Sequence, residues 1–231
     1  MFSYVTANTT KETHAQLTRR QTLLSGAALP LAAAAAAPTA TLAACHSATT
    51  MPTHHDFTLG DFLVTTLLVG SRSVESPQNI FGMNVSADEF SEVSAANFIF
   101  TEAAQLFFTP TVVNTGSEVI SFDTGLNAAG TSKALNAAGY ETSDVTHVVP
   151  THMHGDHIGG LTDESGNETF AGAAYVTGQK EFDSWAKAEN EGFNAKVRPL
   201  AEKMAFLQGG ADVRSGITAV EAFGHTPGQM G

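Results

Sequence analysis

Short apolar runs, separated by polar and glycine-rich breaks, alternate with stretches of helical spacing along most of this chain. Phe62-Leu63-Val64-Thr65-Thr66-Leu67-Leu68-Val69 is apolar, β-branched and short, which predicts a buried strand. Residues 71–95, rich in Ser, Asn and Glu, predict a loop. Residues 111–114 and 118–122 predict two strands joined across Thr115-Gly116-Ser117 as a hairpin, the second ending at Asp123-Thr124-Gly125. Residues 126–138 predict a helix, with Gly139 just past its end, where a left-handed residue is wanted. Residues 145–149 predict a strand stopped by Pro150, and residues 173–177 another. Helices are expected over 180–189 and 195–207, and a last strand over 217–223. Strands alternating with helices indicate a layered α/β architecture, and no internal repeat is visible.

Length and composition narrow the class. The 231 residues exceed the roughly 100–200 of an ordinary single domain, so something extra accompanies one. Hydrophobic content of 42% against 15% charged residues describes a globular protein. The formal net charge is −12, and residues 1–45 carry Lys11, Arg19 and Arg20 against Glu12 alone, so the remainder is more acidic still. Such a body repels phosphate backbones, which argues against a nucleic-acid partner. A small-molecule substrate is the expected partner, with a homo-oligomer left open. The one cysteine, Cys45, excludes an internal disulfide framework and a Cys-rich zinc module, so any metal must be held by His and carboxylate.

The first forty-five residues read as an address. Thr18-Arg19-Arg20-Gln21-Thr22-Leu23-Leu24 pairs two arginines with an apolar step, and an alanine-rich stretch runs from Ala27 to Ala44. That is the pattern of a bacterial export signal, and the arginine pair points to the Tat route. A membrane anchor fits less well, because Pro30 and Pro38 interrupt a weakly apolar tract. Leu42-Ala43-Ala44-Cys45 resembles a lipoprotein box, which implies a lipid anchor at Cys45; ordinary cleavage nearby is the alternative. Either outcome gives a periplasmic or secreted protein, with residues 46–56 as a linker and 57–231 as the working domain.

The chemistry is concentrated in Thr151-His152-Met153-His154-Gly155-Asp156-His157, directly behind a predicted strand. In extended chain, residues two apart project to one side, so His152 and His154 can converge on one ion. A turn through Gly155 then brings Asp156 and His157 to a neighbouring point. Imidazole with carboxylate favours Zn²⁺, with Mn²⁺ or Fe²⁺ open in the absence of thiolate. His147 reads as a structural strand residue, while His14, His46, His54 and His55 fall in the leader or tail.

This His-x-His-x-Asp-His run resembles the signature of the metallo-β-lactamase superfamily, as do Phe122-Asp123-Thr124-Gly125 and Gly224-His225-Thr226-Pro227-Gly228. Within it, Gly60-Asp61-Phe62, Val113-Asn114-Thr115-Gly116-Ser117, Ala137-Ala138-Gly139-Tyr140 and His157-Ile158-Gly159-Gly160-Leu161 look like the branch of methyl parathion hydrolase and the acyl-homoserine lactonases. The resemblance implies an αββα sandwich with its second half incomplete. It implies that His152, His154 and His225 hold a first metal, and that Asp156 and His157 belong to a second, two Zn²⁺ filling a complete site. Asp156 is also the candidate catalytic residue, and Asp123 the candidate acceptor that orients a ligating His. Gln229 stands where many relatives have a second His. A bridging aspartate and a last histidine are expected beyond Gly231, which implies a fragment that is poorly active alone.

The implied activity is hydrolysis of an ester, lactone or phosphotriester by a metal-ionised water, without a protein nucleophile. Trp185 and Phe193 are candidates to line an apolar substrate pocket. The competing readings are a thioester hydrolase of the glyoxalase II type, an iron-dependent persulfide dioxygenase, and a non-catalytic metal-binding remnant.

Overall fold

In the computed structural model, described over residues 52–231, a hairpin of β1 (His54–Leu59) and β2 (Phe62–Leu67) opens the sheet. The expected leader, with Arg19, Arg20 and Cys45, lies outside the described residues. β2 pairs antiparallel with β5 (Thr111–Asn114), and β5 with β6 (Val119–Phe122). From there the sheet turns parallel, through β7 (His147–Val149), β8 (Ala174–Gly178) and β9 (Met204–Leu207), giving the seven-stranded order β1-β2-β5-β6-β7-β8-β9. The change of direction follows from the connections. Tight turns join β1 to β2 and β5 to β6, whereas parallel neighbours need a crossover. The crossovers here are α2 (Ala128–Ala137), α3 (Gly155–Ile158), and the pair α4 (Gln179–Ala188) and α5 (Glu191–Lys196) followed by a 3₁₀ segment, Arg198–Lys203.

Alternation along the parallel strands builds two cores. Val148 and Tyr175 face a helix-side core with Leu135 of α2, Phe193 of α5 and Leu200. Their chain neighbours Val149 and Val176 face the opposite side with Ile120, against Val213 and Ile217. Those last two belong to a short ribbon, β10 (Asp212–Arg214) and β11 (Ile217–Thr218). Helices on one face and a strand ribbon on the other fit the α/β layering of the metallo-β-lactamase sandwich.

Several local expectations need correction. Residues 71–95 are not loop: they hold β3 (Gly70–Glu75), a 3₁₀ turn at Pro77–Asn79 and α1 (Ala87–Ala96). Ser86 caps that helix by accepting from the Glu89 N–H, with Asp88 and Glu89 in the first turn favouring its positive end. β3 pairs with β4 (Ala103–Phe108) as a separate ribbon, a long-range match that local pattern does not reveal. The helix expected over 195–207 ends in a strand, because β9 adds its backbone to β8 in register from Tyr175–Met204 to Gly178–Leu207. The strand expected over 217–223 is limited to Ile217–Thr218. His54 and His55, expected in a tail, begin β1.

Candidate metal centre

β7 delivers its chain to the site and stops at Pro150. The next residues alternate: His152 turns one way, Met153 drops into the helix-side core at 1% exposure, and His154 returns to the side of His152. Burial of Met153 anchors the two imidazoles on the other side of the same short segment. The chain then winds into the single turn of α3, whose N-cap is His154. That turn presents Asp156 and His157, and the His157 ring lies 3.8 Å from the His152 ring between centroids. Gly159 and Gly160 let α3 press against the β6 exit loop, since a Cβ at either would sit 2.2 Å from the carbonyl oxygens of Leu126 and Thr124 respectively. Gly155 has no such neighbour, so its role is not steric.

Ligand atoms of His152, His154 and His225 all lie within 4.8 Å of one another. Nδ1 of His154 faces Nε2 of His225 at 3.0 Å. Zn–N bonds of about 2.0–2.1 Å in a tetrahedron separate neighbouring nitrogens by about 3.3 Å, so only small adjustments close this set around an ion. Nε2 of His152 is buried and has no hydrogen-bond partner among the described residues, an arrangement that is costly unless something else occupies the lone pair. Three nitrogen donors and an orphaned, inward-facing imidazole fit a divalent first-row cation.

Proton placement supports that fit. Burial, reinforced by the His157 ring, lowers the His152 pKa to about 4. Burial and then His225 also lower the His154 value. Both are therefore neutral near pH 7, the form a metal requires. Asp123 sets the tautomer of His152 through Thr151. The Thr151 hydroxyl has one proton and gives it to the Asp123 carboxylate, at 3.1 and 2.9 Å from its two oxygens. Its oxygen must then accept from Nδ1–H of His152, 3.3 Å away, which leaves the lone pair on Nε2.

Asp156 and His157 form a second, more polar pair. Nδ1 of His157 donates to Asp123 at 2.8 Å, and its Nε2 lies 3.5 Å from Asp156. Burial alone would lower the His157 pKa, but the hydrogen bonds to Asp123 and Asp156 outweigh it and raise the value to about 9. The same contact, against an opposing effect of burial, holds Asp156 at about 2. Asp123 itself sits at φ +64°, a left-handed conformation that Asp tolerates better than most residues and that turns its carboxylate back toward Thr151 and His157.

Sequence-predicted residues thus meet at one place: His152, His154, Asp156, His157 and His225, with Asp123 behind them. Trp185 is there too, packed edge-on against His154 with centroids 5.3 Å apart. Phe193 is not. It is fully buried against Phe182, so it is a core residue and lines no open pocket. A cavity of about 140 Å³ beside Asp123, Asp156 and His157 is walled instead by Phe107, Phe108, Thr109 and Pro110. Two contributors were missed from the sequence, Thr151 and Glu181. Glu181 is fully buried and accepts hydrogen bonds from the backbone N–H groups of Met153 and Gly228 and from the Thr226 hydroxyl. In the sequence it is simply a carboxylate four residues before Trp185 in a predicted helix, which by itself names no partner.

Residues 109–230 match the metallo-beta-lactamase superfamily. No curated protein sequence matches the chain. Among solved structures it is similar to AidC, a dizinc quorum-quenching lactonase in complex with a product (24% identity, TM-score 0.65, covering 77% of this chain and 68% of that one). It is also similar to the hydrolase AbOPH of the beta lactamase superfamily (21%, TM-score 0.67, 78% and 69%). A third similar structure is a probable metal-dependent hydrolase from Staphylococcus aureus (22%, TM-score 0.62, 75% and 69%).

Proposed function

Since the chain belongs to the metallo-beta-lactamase superfamily and is a hydrolase of that fold, we propose that it uses divalent metal to cleave a lactone, ester or phosphotriester. The observation that carries this reading is the convergence of His152, His154 and His225 beside the Asp156–His157 pair. These five residues would hold the metal, Zn²⁺ being the ion the nitrogen-rich donor set suits best. When bound, the metal polarises the substrate oxygen and activates water near neutral pH. The chain's own residues do the rest. Asp123 holds His157 directly and His152 through Thr151, and the Asp156 carboxylate, ionised above about pH 2, would meet a cation as an anion.

The preference for an uncharged, partly apolar substrate rests on the walls. Trp185 stands against His154, and Phe107 and Phe108 border the cavity at His157. The similarity to AidC supports a lactone as the first substrate to test. The test is metal analysis of the purified full chain together with turnover of acyl lactones, aryl esters, aryl phosphotriesters and thioesters. Zinc bound in proportion to protein, with lactone or ester turnover abolished by chelation, is the expected result. A protein that takes up no transition metal would refute it.

The Arg19–Arg20 pair supports export by the Tat route to the periplasm or beyond, with Cys45 as a candidate lipid anchor. Replacing both arginines with lysine should retain the protein in the cytoplasm on fractionation, and Cys45→Ser should release it from membranes if a lipid is attached there.

A further inference from the structure

The Glu181 carboxylate lies where the His152–His157 segment and the His225 loop meet, yet it hydrogen-bonds none of the candidate ligand side chains. One oxygen accepts from the Met153 N–H at 3.1 Å, between His152 and His154. The other accepts from the Thr226 hydroxyl at 2.8 Å and the Gly228 N–H at 2.9 Å, on either side of Pro227 and just past His225. The two loops are far apart in sequence, and His225 itself is exposed, so little packing holds its ring in place. The His225 loop is pressed onto the first turn of α4. A Cβ on Gly228 would stand 2.2 Å from the Glu181 nitrogen, and one on Gly178 would stand 2.8 Å from the Met230 side chain. Burying a carboxylate is costly unless donors satisfy it, and three donors from two loops do so here.

We infer that Glu181 is a positioning residue that sets the distance between the His152–His154 pair and His225, and through it the affinity of the first metal position. The inference rests on the metal reading above. Among the described residues, one backbone bond, from the Met230 N–H to the Thr151 carbonyl at 3.0 Å, ties these loops directly. Without the carboxylate, His225 would keep its ring but lose its register with His154.

The test uses the full chain, stripped of metal and titrated with zinc against a chromophoric chelator, in Glu181→Gln, Thr226→Val and Thr226→Ser forms. Glu181→Gln keeps the volume but sets an amide NH₂ against N–H donors, and should weaken the first zinc by about ten- to a hundredfold. Thr226→Val keeps the shape and loses the hydroxyl, and should weaken it severalfold; Thr226→Ser keeps the hydroxyl and should bind as the wild type does. Amide exchange at Met153 and Gly228 should accelerate in Glu181→Gln while Val148 and Tyr175 stay protected. A folded Glu181→Gln protein that binds zinc as tightly as the wild type overturns the inference. If that variant does not fold, equal affinities of Thr226→Val and Thr226→Ser overturn it. Failure of the wild type itself to bind zinc would instead defeat the metal reading, and this inference with it.

Discussion

The Asp123 carboxylate accepts a 2.8 Å hydrogen bond from Nδ1 of His157, and the same carboxylate governs His152 through the Thr151 hydroxyl. One residue, in a left-handed turn at the end of β6, therefore orients an imidazole at each of the two proposed metal positions. Asp123→Asn should weaken metal binding by about ten- to a hundredfold, the usual effect of removing an outer carboxylate. Thr151→Val should affect only the His152 position, because it breaks the relay and spares the direct bond to His157. Zinc competition assays on the two variants separate these outcomes; equal losses at both positions in Thr151→Val would refute the relay.

Proton release provides a second check. His157, raised to about 9 in the metal-free protein, is protonated at pH 7, whereas His152, lowered to about 4, is already neutral. An ion entering the His157 position at pH 7 should displace close to one proton, whereas His152, already neutral, should contribute almost none. Affinity at the His157 position should rise with pH and level off above about 9, where no proton remains to compete. The stability effect has the opposite sign. A folded value above the unfolded one stabilises the metal-free protein below about pH 6.5, and that contribution is lost as pH climbs through about 9. Titration calorimetry in buffers of different ionisation enthalpy measures the release, and a buffer-independent heat at pH 7 would contradict it.

Much of this centre was legible in the sequence because its donors are packed into one short segment. The spacing of His152 and His154 follows from extended chain, and Met153 between them points into the core as that geometry demands. His225 and Asp123 were reachable only through their resemblance to motifs, since nothing local says that chain so distant returns to this point. Glu181 and Thr151 were invisible for a different reason. Their roles are defined by partners brought together by tertiary structure, and a glutamate in a helix or a threonine after a proline is unremarkable alone. The β3–β4 ribbon and β9 were missed because pairing, more than local propensity, made them strands.

The glycines behind α3 make a stability prediction with an internal control. Gly159→Ala would force a methyl to within 2.2 Å of the Leu126 carbonyl oxygen, so backbone must move. A cost of about 1–3 kcal/mol is expected, with weakened zinc binding because α3 carries Asp156 and His157. Gly155→Ala, four residues earlier at the start of α3, meets nothing within 4 Å and should be neutral or stabilising by up to about 1 kcal/mol. Urea unfolding of the metal-free variants decides it, and similar midpoints for the two would show that the close approach carries no energy.

The two aromatic residues that the sequence offered as pocket walls should separate in the same way. Phe193, fully buried beside Phe182 and Val197, is a packing residue, and Phe193→Ala should cost about 3–5 kcal/mol while leaving the substrate preference of the surviving folded protein unchanged. Trp185 is only partly buried and meets His154 edge-on, so Trp185→Ala should lose less stability but raise KM for long-chain or aryl substrates more than for short ones. Steady-state kinetics over a series of lactones of increasing acyl length, beside thermal unfolding of both variants, tests the contrast. A uniform drop in kcat across the series for Trp185→Ala, with KM unmoved, would mean that the indole supports His154 and does not contact substrate.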